Sequence, residues 1–155
     1  MTCVPTPPDY RLVTRWSLPA APERVWQVLA DPELTWPRWW PGLASPWSAE
    51  DRALFVLRPF RCGYALRFGL VVTERVPPRR ARLAVSGDLV GTGQVTIDPA
   101  PGGSTLELDW RVRTTRPWMR RTGRLLAPVF RRAHAHAMRS GCAGLRGYLQ
   151  RVSAP

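Results

Sequence analysis

The sequence contains no lysine, only two histidines and three cysteines, and about half as many acidic as basic residues. The cysteines, Cys3, Cys62 and Cys142, lie far apart in the 155-residue chain. Together with two histidines they match neither a zinc framework nor a disulfide scaffold. We therefore expect reduced thiols and no bound metal.

The motifs of several enzyme classes are also missing. No serine lies in a nucleophile elbow, there is no phosphate-binding loop, and Gly91-Thr92-Gly93 lacks the third glycine and the following helix of a dinucleotide site. No pairs of Cys and His are available to hold an iron–sulfur cluster or a mononuclear iron. We expect no cofactor, so any catalysis would be acid/base chemistry in a cavity that orients the substrate.

Long apolar runs are absent as well. No stretch approaches the roughly 18 apolar residues of a membrane span. Met1 to Pro8 lacks the charged start and the apolar middle of a secretory signal. The chain is most simply one domain at residues 10–152 after a flexible lead at residues 1–9. We expect a cytoplasmic protein without a membrane span, either a monomer or a homodimer.

Arginine is present in excess. All 23 basic residues are arginine, against 11 acidic residues, and the formal net charge is +12. Such a balance is compatible with binding to nucleic acid or to an anionic membrane surface. However, the arginines are scattered through the predicted helices, strands and turns, and arginine with abundant Ala, Pro and Gly is typical of a G+C-rich coding sequence. We do not expect nucleic acid to be a partner.

The last quarter of the chain, Pro117 to Gln150, has the periodicity of one long amphipathic helix with a break near Pro128. A helix this one-sided cannot bury its stripe alone and needs a sheet to lie on. The apolar or small residues on its predicted buried face are Phe130, Ala133, Ala137, Met138, Gly141, Leu145 and Tyr148.

The first forty residues predict one strand and two short helices. Tyr10 to Leu18 alternates like a strand with aromatic ends. Ala20 to Arg24 opens a helix with proline in its first turn, and this helix ends at Asp31-Pro32. Glu33 to Trp40 predicts a second short helix that is interrupted by Pro37.

Between these elements and the last helix, alternation and turn residues predict about five or six strands. The clearest candidates are residues 54–58, 64–76, 81–86, 88–97 and 106–113. Short connections favour an antiparallel meander. The order of elements therefore indicates an α+β fold in which a curved antiparallel sheet wraps around the long C-terminal helix. Curvature leaves a gap between sheet and helix, and a ligand would bind there.

Both the order of elements and several motifs resemble the SRPBCC or START-like superfamily, and within it the polyketide cyclase/dehydrase-like group. The motifs lie at residues 21–32, 36–42, 86–93 and 109–119 and at His134, Met138 and Gly141 to Leu145. The resemblance extends from about Tyr10 to Leu149. It implies a helix-grip (START/Bet v 1-like) fold with a deep apolar cavity between the sheet and the C-terminal helix.

His134 is the sharpest chemical candidate. It lies four residues after Phe130 and four before Met138, so it should point toward the sheet, where burial favours a neutral imidazole. Three roles remain open: a core histidine bonded to a strand residue or water, a polar contact to a ligand, or a catalytic acid or base. His136 lies about 200° further round the helix and should be at the surface.

Aromatic side chains supply the remaining site candidates, either as a stacking wall for a flat ligand or as ordinary core. Charged strand residues such as Glu107 and Asp109 should face away from the apolar side. The predicted ligand-binding residues are Trp39, Trp40, Phe68, Leu70, Trp110, Val112, Phe130, His134, Ala137, Met138 and Gly141.

These features predict the binding of a small hydrophobic molecule, either a lipid, an isoprenoid or quinone, or an aromatic polyketide-like compound. The alternative is a cofactor-free polyketide cyclase, aromatase or dehydratase that uses the same cavity with His134 as catalytic residue. A protein-interaction role is a third possibility. The scarcity of identifiable acid/base pairs in the predicted cavity favours binding over catalysis.

Overall fold

The structure, a computed structural model, describes residues 10–58 and 64–153. The predicted lead at residues 1–9 lies outside the described residues, as do Cys3 and Cys62, whereas Cys142 is a free thiol. The elements in chain order are β1 (Tyr10–Leu18), α1 (Pro22–Leu29), α2 (Trp36–Trp39), β2 (Leu43–Ala49), β3 (Arg52–Leu57), β4 (Leu66–Val76), β5 (Arg80–Gly87), β6 (Leu89–Ala100), β7 (Gly103–Thr114) and α3 (Pro117–Ser153).

The seven strands form one antiparallel sheet in the order β1-β7-β6-β5-β4-β3-β2. Strands β2 to β7 follow one another as a meander, and β1 closes the far edge beside β7. The curved sheet holds α3, with α1 and α2 placed after the first strand. The predicted α+β helix-grip fold is therefore confirmed.

The structure corrects three details of the sequence prediction. Helix α3 runs through Pro128 without a break, although an internal proline removes one hydrogen bond and crowds the preceding turn, because buried side chains before and after it, such as Met119 and Phe130, hold the helix in place. Pro37 lies in the first turn of the short α2 and does not interrupt it, since the missing N–H is tolerated there. The Pro- and Ser-containing segment Leu43–Ala49, which no strand candidate covered, forms edge strand β2.

Alternation along the strands separates the two faces of the sheet as predicted. On β7, Leu106 and Leu108 are buried, whereas Glu107 and Asp109 point to the other face. There Glu107 pairs with Arg15 at 2.7 Å and Asp109 pairs with Arg11 at 3.3 Å across the β1–β7 register. The apolar face of the sheet packs against the helices.

The buried face contains two apolar clusters. One, with Ile97 and Leu145 at its centre, lies under α1 and the C-terminal half of α3. The other, with Phe55 and Val85, lies on strands β3 to β5. Trp36, Trp40, Val95 and Trp110 pack against both clusters. Within residues 10–58 and 64–153, no helix combines the length and the apolarity needed to cross a membrane.

Candidate ligand-binding cavity

An apolar cavity of about 140 Å³ lies between the concave face of the sheet and α3. A void of this size exceeds several water volumes of about 30 Å³ each and is close to the roughly 150 Å³ that hold a benzene-sized molecule. Its lining residues are Tyr10, Leu12, Trp36, Trp40, Leu43, Phe55, Leu57, Tyr64, Leu66, Phe68, Leu70, Val85, Leu89, Trp110, Val112, Thr114, Met119, Phe130, Arg131, Ala133, His134, Ala137 and Met138. We refer to it below as the main cavity.

Most of the residues predicted to bind ligand lie together around this cavity. Those placed in its wall are Trp40, Phe68, Leu70, Trp110, Val112, Phe130, His134, Ala137 and Met138. The small side chains of Ala133 and Ala137 both face the void from α3. Strand alternation and helical periodicity explain this grouping, because each places every second or every third to fourth side chain on the buried side.

The structure places Trp39 and Gly141 outside the lining. Trp39 is 3% exposed and belongs to the cluster under α1 and α3. Gly141, predicted to bind ligand, instead lies against the indole of Trp40, which fills the space beside it. The void therefore lies under the middle of α3, at Ala133 and Ala137, and ends before Gly141.

Sequence reasoning missed several lining residues with polar atoms. Tyr10 and Thr114 come from the ends of β1 and β7, Tyr64 precedes β4, and Arg131 lies on α3. The tyrosines share the strand parity of Leu12 and Leu66, and this alternation was a usable signal. No such signal identified Arg131, because it flanks the apolar stripe of the helix.

His134 places a neutral imidazole in the cavity wall. Desolvation by burial lowers the pKa of His134 below its ordinary value of 6.5. Its Nε2 atom is buried and has no hydrogen-bond partner among the described residues. A buried imidazole nitrogen without a partner costs free energy, so a ligand group that bonds to it would gain that energy on binding.

Three tryptophans in the wall differ in how their indole N–H is used. Trp36 donates to the carbonyl oxygen of Leu29 at 3.0 Å, and Trp40 donates to that of Ala137 at 3.0 Å. The buried Nε1 of Trp110 has no acceptor among the described residues. Because indole Nε1 only donates, Trp110 offers a ligand one hydrogen-bond donor. The Nε2 atom of His134 can donate or accept a hydrogen bond, depending on the tautomer of the imidazole.

The Tyr64 hydroxyl is a further polar group of the wall. Burial, reinforced by the neighbouring Tyr10, raises the pKa of the Tyr64 hydroxyl above its ordinary value of 10.0. The phenol is therefore protonated at neutral pH and can donate a hydrogen bond. Among the described residues, no three His, Cys, Asp or Glu side chains come together as metal ligands.

Aromatic rings surround the end of the cavity where α3 begins. Trp118 meets Tyr64 and Phe130 edge-on, with ring centroids 5.9 Å and 6.1 Å away. Trp118 is 41% exposed, and the exposed Arg131 also lines the void. Exposed side chains therefore lie at this end of the main cavity.

A second cavity of about 140 Å³ lies on the same face of the sheet, beneath α1 and the loop that follows it. The two cavities share the side chains of Trp36, Trp40, Phe55, Leu70 and Trp110, which form a partition. Phe55 stacks on Trp36 with centroids 5.4 Å apart. At its far end the second cavity reaches the β2–β3 turn at residues 48–52, where the chain is exposed.

The fold and the apolar cavity under α3 define a helix-grip protein with an apolar internal cavity. Residues 11–150 match the family described as polyketide cyclase / dehydrase and lipid transport, and the chain belongs to this family.

Solved structures show the same fold. A protein from Thermus thermophilus is 20% identical, with a TM-score of 0.75 over 94% of this chain and 100% of that one. A protein from Rhodobacter sphaeroides is 21% identical, with a TM-score of 0.67 over 94% and 95%. One from Mycobacterium smegmatis is 16% identical, with a TM-score of 0.68 over 92% of each chain. No curated protein matches the sequence.

Proposed function

We propose that the protein binds a small ring-containing molecule in the main cavity and anchors one polar group of that molecule at His134. The observation that carries the proposal is the buried Nε2 of His134, which has no partner among the described residues and belongs to the wall of an otherwise apolar void. A hydroxyl or carbonyl on the ligand would bond to this nitrogen, and its rings would pack on Trp36, Trp40 and Phe68.

The size of the cavity supports one of the predicted ligand classes over the others. A void of about 140 Å³ accepts one aromatic ring with small substituents, whereas drug-sized ligands fill about 300 Å³ or more. A two-chain lipid exceeds this volume several-fold. The observed side-chain arrangement therefore favours a quinone or phenol head group, or a small aromatic polyketide, over a whole membrane lipid.

The test uses two probes of nearly equal shape, p-cresol and toluene, which differ by one hydroxyl. We expect calorimetry to give a Kd of about 0.1–1 mM for p-cresol, within the limits for so few atoms. Replacing His134 with Leu keeps the wall apolar and removes the anchor. Because one neutral hydrogen bond contributes about 1 kcal/mol, His134→Leu should weaken p-cresol about fivefold and leave toluene unchanged.

The matched control is His136→Leu, since His136 lies two residues away on the exposed side of α3. It should change the affinity for neither probe. Equal weakening of both probes by His134→Leu would mean that the histidine only supports the wall. No binding of either probe at millimolar concentration would contradict the proposal.

Catalysis is a second candidate, and one observation favours it. Burial keeps His134 neutral and Tyr64 protonated, so the same cavity holds one base and one acid. Such a pair could move protons during closure of a flexible polyketone chain without a cofactor. Formation of a cyclised product from a synthetic poly-β-ketone, lost in both His134→Leu and Tyr64→Phe, would support catalysis. Binding of the probes without formation of product would leave ligand binding as the only supported function.

A further inference from the structure

Helix α3 is rich in arginine and contains no acidic residue. Its sequence has neither aspartate nor glutamate. Its eight arginines are Arg120, Arg121, Arg124, Arg131, Arg132, Arg139, Arg146 and Arg151. Those with described side chains are exposed, and none of these pairs with a carboxylate of the described residues. The ion pairs found lie on the strands and their loops, so α3 presents a positive surface that no carboxylate of the described residues compensates.

The first half of α3 also exposes large apolar side chains. Leu125 is 82% exposed, Val129 47% and Trp118 41%. Leu125 lies seven residues after Trp118 and four before Val129, so the three side chains form one stripe along the helix. Arg121 and Arg132 lie four residues before Leu125 and three after Val129, so both flank this stripe. We call these five residues the docking face.

A helix face that combines exposed apolar residues with flanking arginines fits the surface of an anionic bilayer. The apolar groups enter the boundary between head groups and acyl chains, while the guanidinium groups reach the lipid phosphates. A nucleic acid would use the arginines but would leave Leu125 and Val129 in water. We propose that the docking face binds membranes that contain anionic lipid.

The position of the docking face supports a lipid partner. Trp118 belongs to this face and also contacts Tyr64 and Phe130, which line the main cavity. Docking would therefore turn this end of the main cavity toward the bilayer. Membrane binding itself needs only the docking face, so it stands or falls independently of the ligand proposed above.

Co-sedimentation with vesicles tests the proposal on the whole protein. Vesicles of phosphatidylcholine mixed with phosphatidylglycerol should bind it, and vesicles of phosphatidylcholine alone should bind it at least about tenfold less. Leu125→Ser should lower binding about tenfold because it removes the most exposed apolar group. Leu54→Ser, which changes an exposed leucine on the convex face of the sheet, should have no effect.

A second matched pair of variants tests how much the arginines contribute to vesicle binding. Arg121→Gln with Arg132→Gln should reduce binding to anionic vesicles by about tenfold or more. Arg52→Gln with Arg113→Gln removes the same net charge from exposed positions on the sheet and should leave binding unchanged. Equal losses of vesicle binding in both pairs would mean that the vesicles attract the protein through its net charge alone. This result would overturn the proposal that the docking face binds the membrane.

Two other results would also overturn the proposal. One is equal binding to neutral vesicles. The other is stronger binding to duplex DNA than to anionic vesicles, with a steep salt dependence that is lost in Arg121→Gln with Arg132→Gln. His134→Leu should bind vesicles like the wild-type protein, so failure of ligand binding and failure of docking can be told apart. Unchanged thermal unfolding of Leu125→Ser would show that a loss of docking is not a loss of fold.

Discussion

The indole Nε1 of Trp40 donates a hydrogen bond of 3.0 Å to the backbone carbonyl oxygen of Ala137. This bond ties the end of α2 to the middle of α3, across the partition between the two cavities. The indole also meets Trp16 edge-on, with ring centroids 5.5 Å apart. Trp40 can lie this close to α3 because Gly141, one turn beyond Ala137, has no side chain.

Gly141→Ala should therefore destabilise the fold. A Cβ at this position would lie 2.6 Å from Cε2 of Trp40 and 3.0 Å from Cη2 of Trp16. Both rings are packed on other side chains, so the overlap can be relieved only by moving the partition. We expect the free energy of unfolding, measured by urea denaturation, to fall by about 1–3 kcal/mol.

Gly147→Ala is the matched control on the same helix. A Cβ there would lie 3.4 Å from a nitrogen of the flexible Arg151 guanidinium and would displace nothing rigid. The higher helix propensity of alanine should raise the free energy of unfolding by about 0.5–1 kcal/mol. A loss of stability as large as that of Gly141→Ala would show that helix position, and not the contact with Trp40, decides the outcome.

Removal of the Trp40 side chain should join the two cavities. Each is about 140 Å³, and Trp40 belongs to the wall of both. Trp40→Ala should cost about 3–5 kcal/mol of stability. It should also let the two-ring probe 4-phenylphenol bind, because we expect this molecule to be too large for either void of about 140 Å³ alone. Calorimetry of the wild-type protein and Trp40→Ala with 4-phenylphenol checks this. The control is Trp47→Ala, at an exposed position of β2, which should not change the size of probe that the protein accepts.

His134→Leu should not destabilise the protein in the absence of ligand. The buried Nε2 makes no hydrogen bond to the described residues, so an apolar side chain of similar volume removes a desolvation cost. We expect the free energy of unfolding to rise by about 1 kcal/mol while the affinity for p-cresol falls. A clear loss of stability would instead identify His134 as a core histidine that holds the fold together.

The pH dependence of stability should carry a contribution from His134. Its pKa is lowered in the folded state by burial, so between pH 6.5 and the folded pKa the unfolded chain binds the proton and the folded chain does not. The contribution of His134 to the free energy of unfolding is fully present above pH 6.5. It is lost as the pH falls from 6.5 toward the folded pKa, by at most about 1.4 kcal/mol per pH unit.

Urea denaturation at about pH 8 and about pH 5 measures this contribution. Wild-type protein should lose more stability between the two values than His134→Leu. Equal losses in wild type and His134→Leu would mean that the imidazole is not buried away from water in the folded protein.

Much of the fold was predictable from the sequence, because periodicity reports local geometry directly. Alternation and turn residues located β1 and β3 to β7, and the apolar stripe located α3. Strand β2 was missed because an edge strand with a proline and an exposed tryptophan buries too few side chains to alternate. The break expected at Pro128 was wrong because tertiary contacts override one local hydrogen bond.

The cavity was predictable in its location but not in its limits. Periodicity places Ala137 and Trp40 on facing surfaces, yet it cannot show that one indole fills the space at Gly141 and divides the void. Arg131 enters the wall through long-range packing, which no local pattern encodes, whereas strand alternation was a usable signal for Tyr64. The cytoplasmic location and the oligomeric state remain predictions.

The measurement that tests the central claim most directly is the position of bound p-cresol by isotope-filtered nuclear Overhauser effects. The account predicts contacts from the ring protons of p-cresol to the methyl groups of Ala133, Ala137 and Met138, which line the main cavity. Contacts only to exposed groups such as Leu54 and Val71, or no contacts at saturating p-cresol, would contradict it.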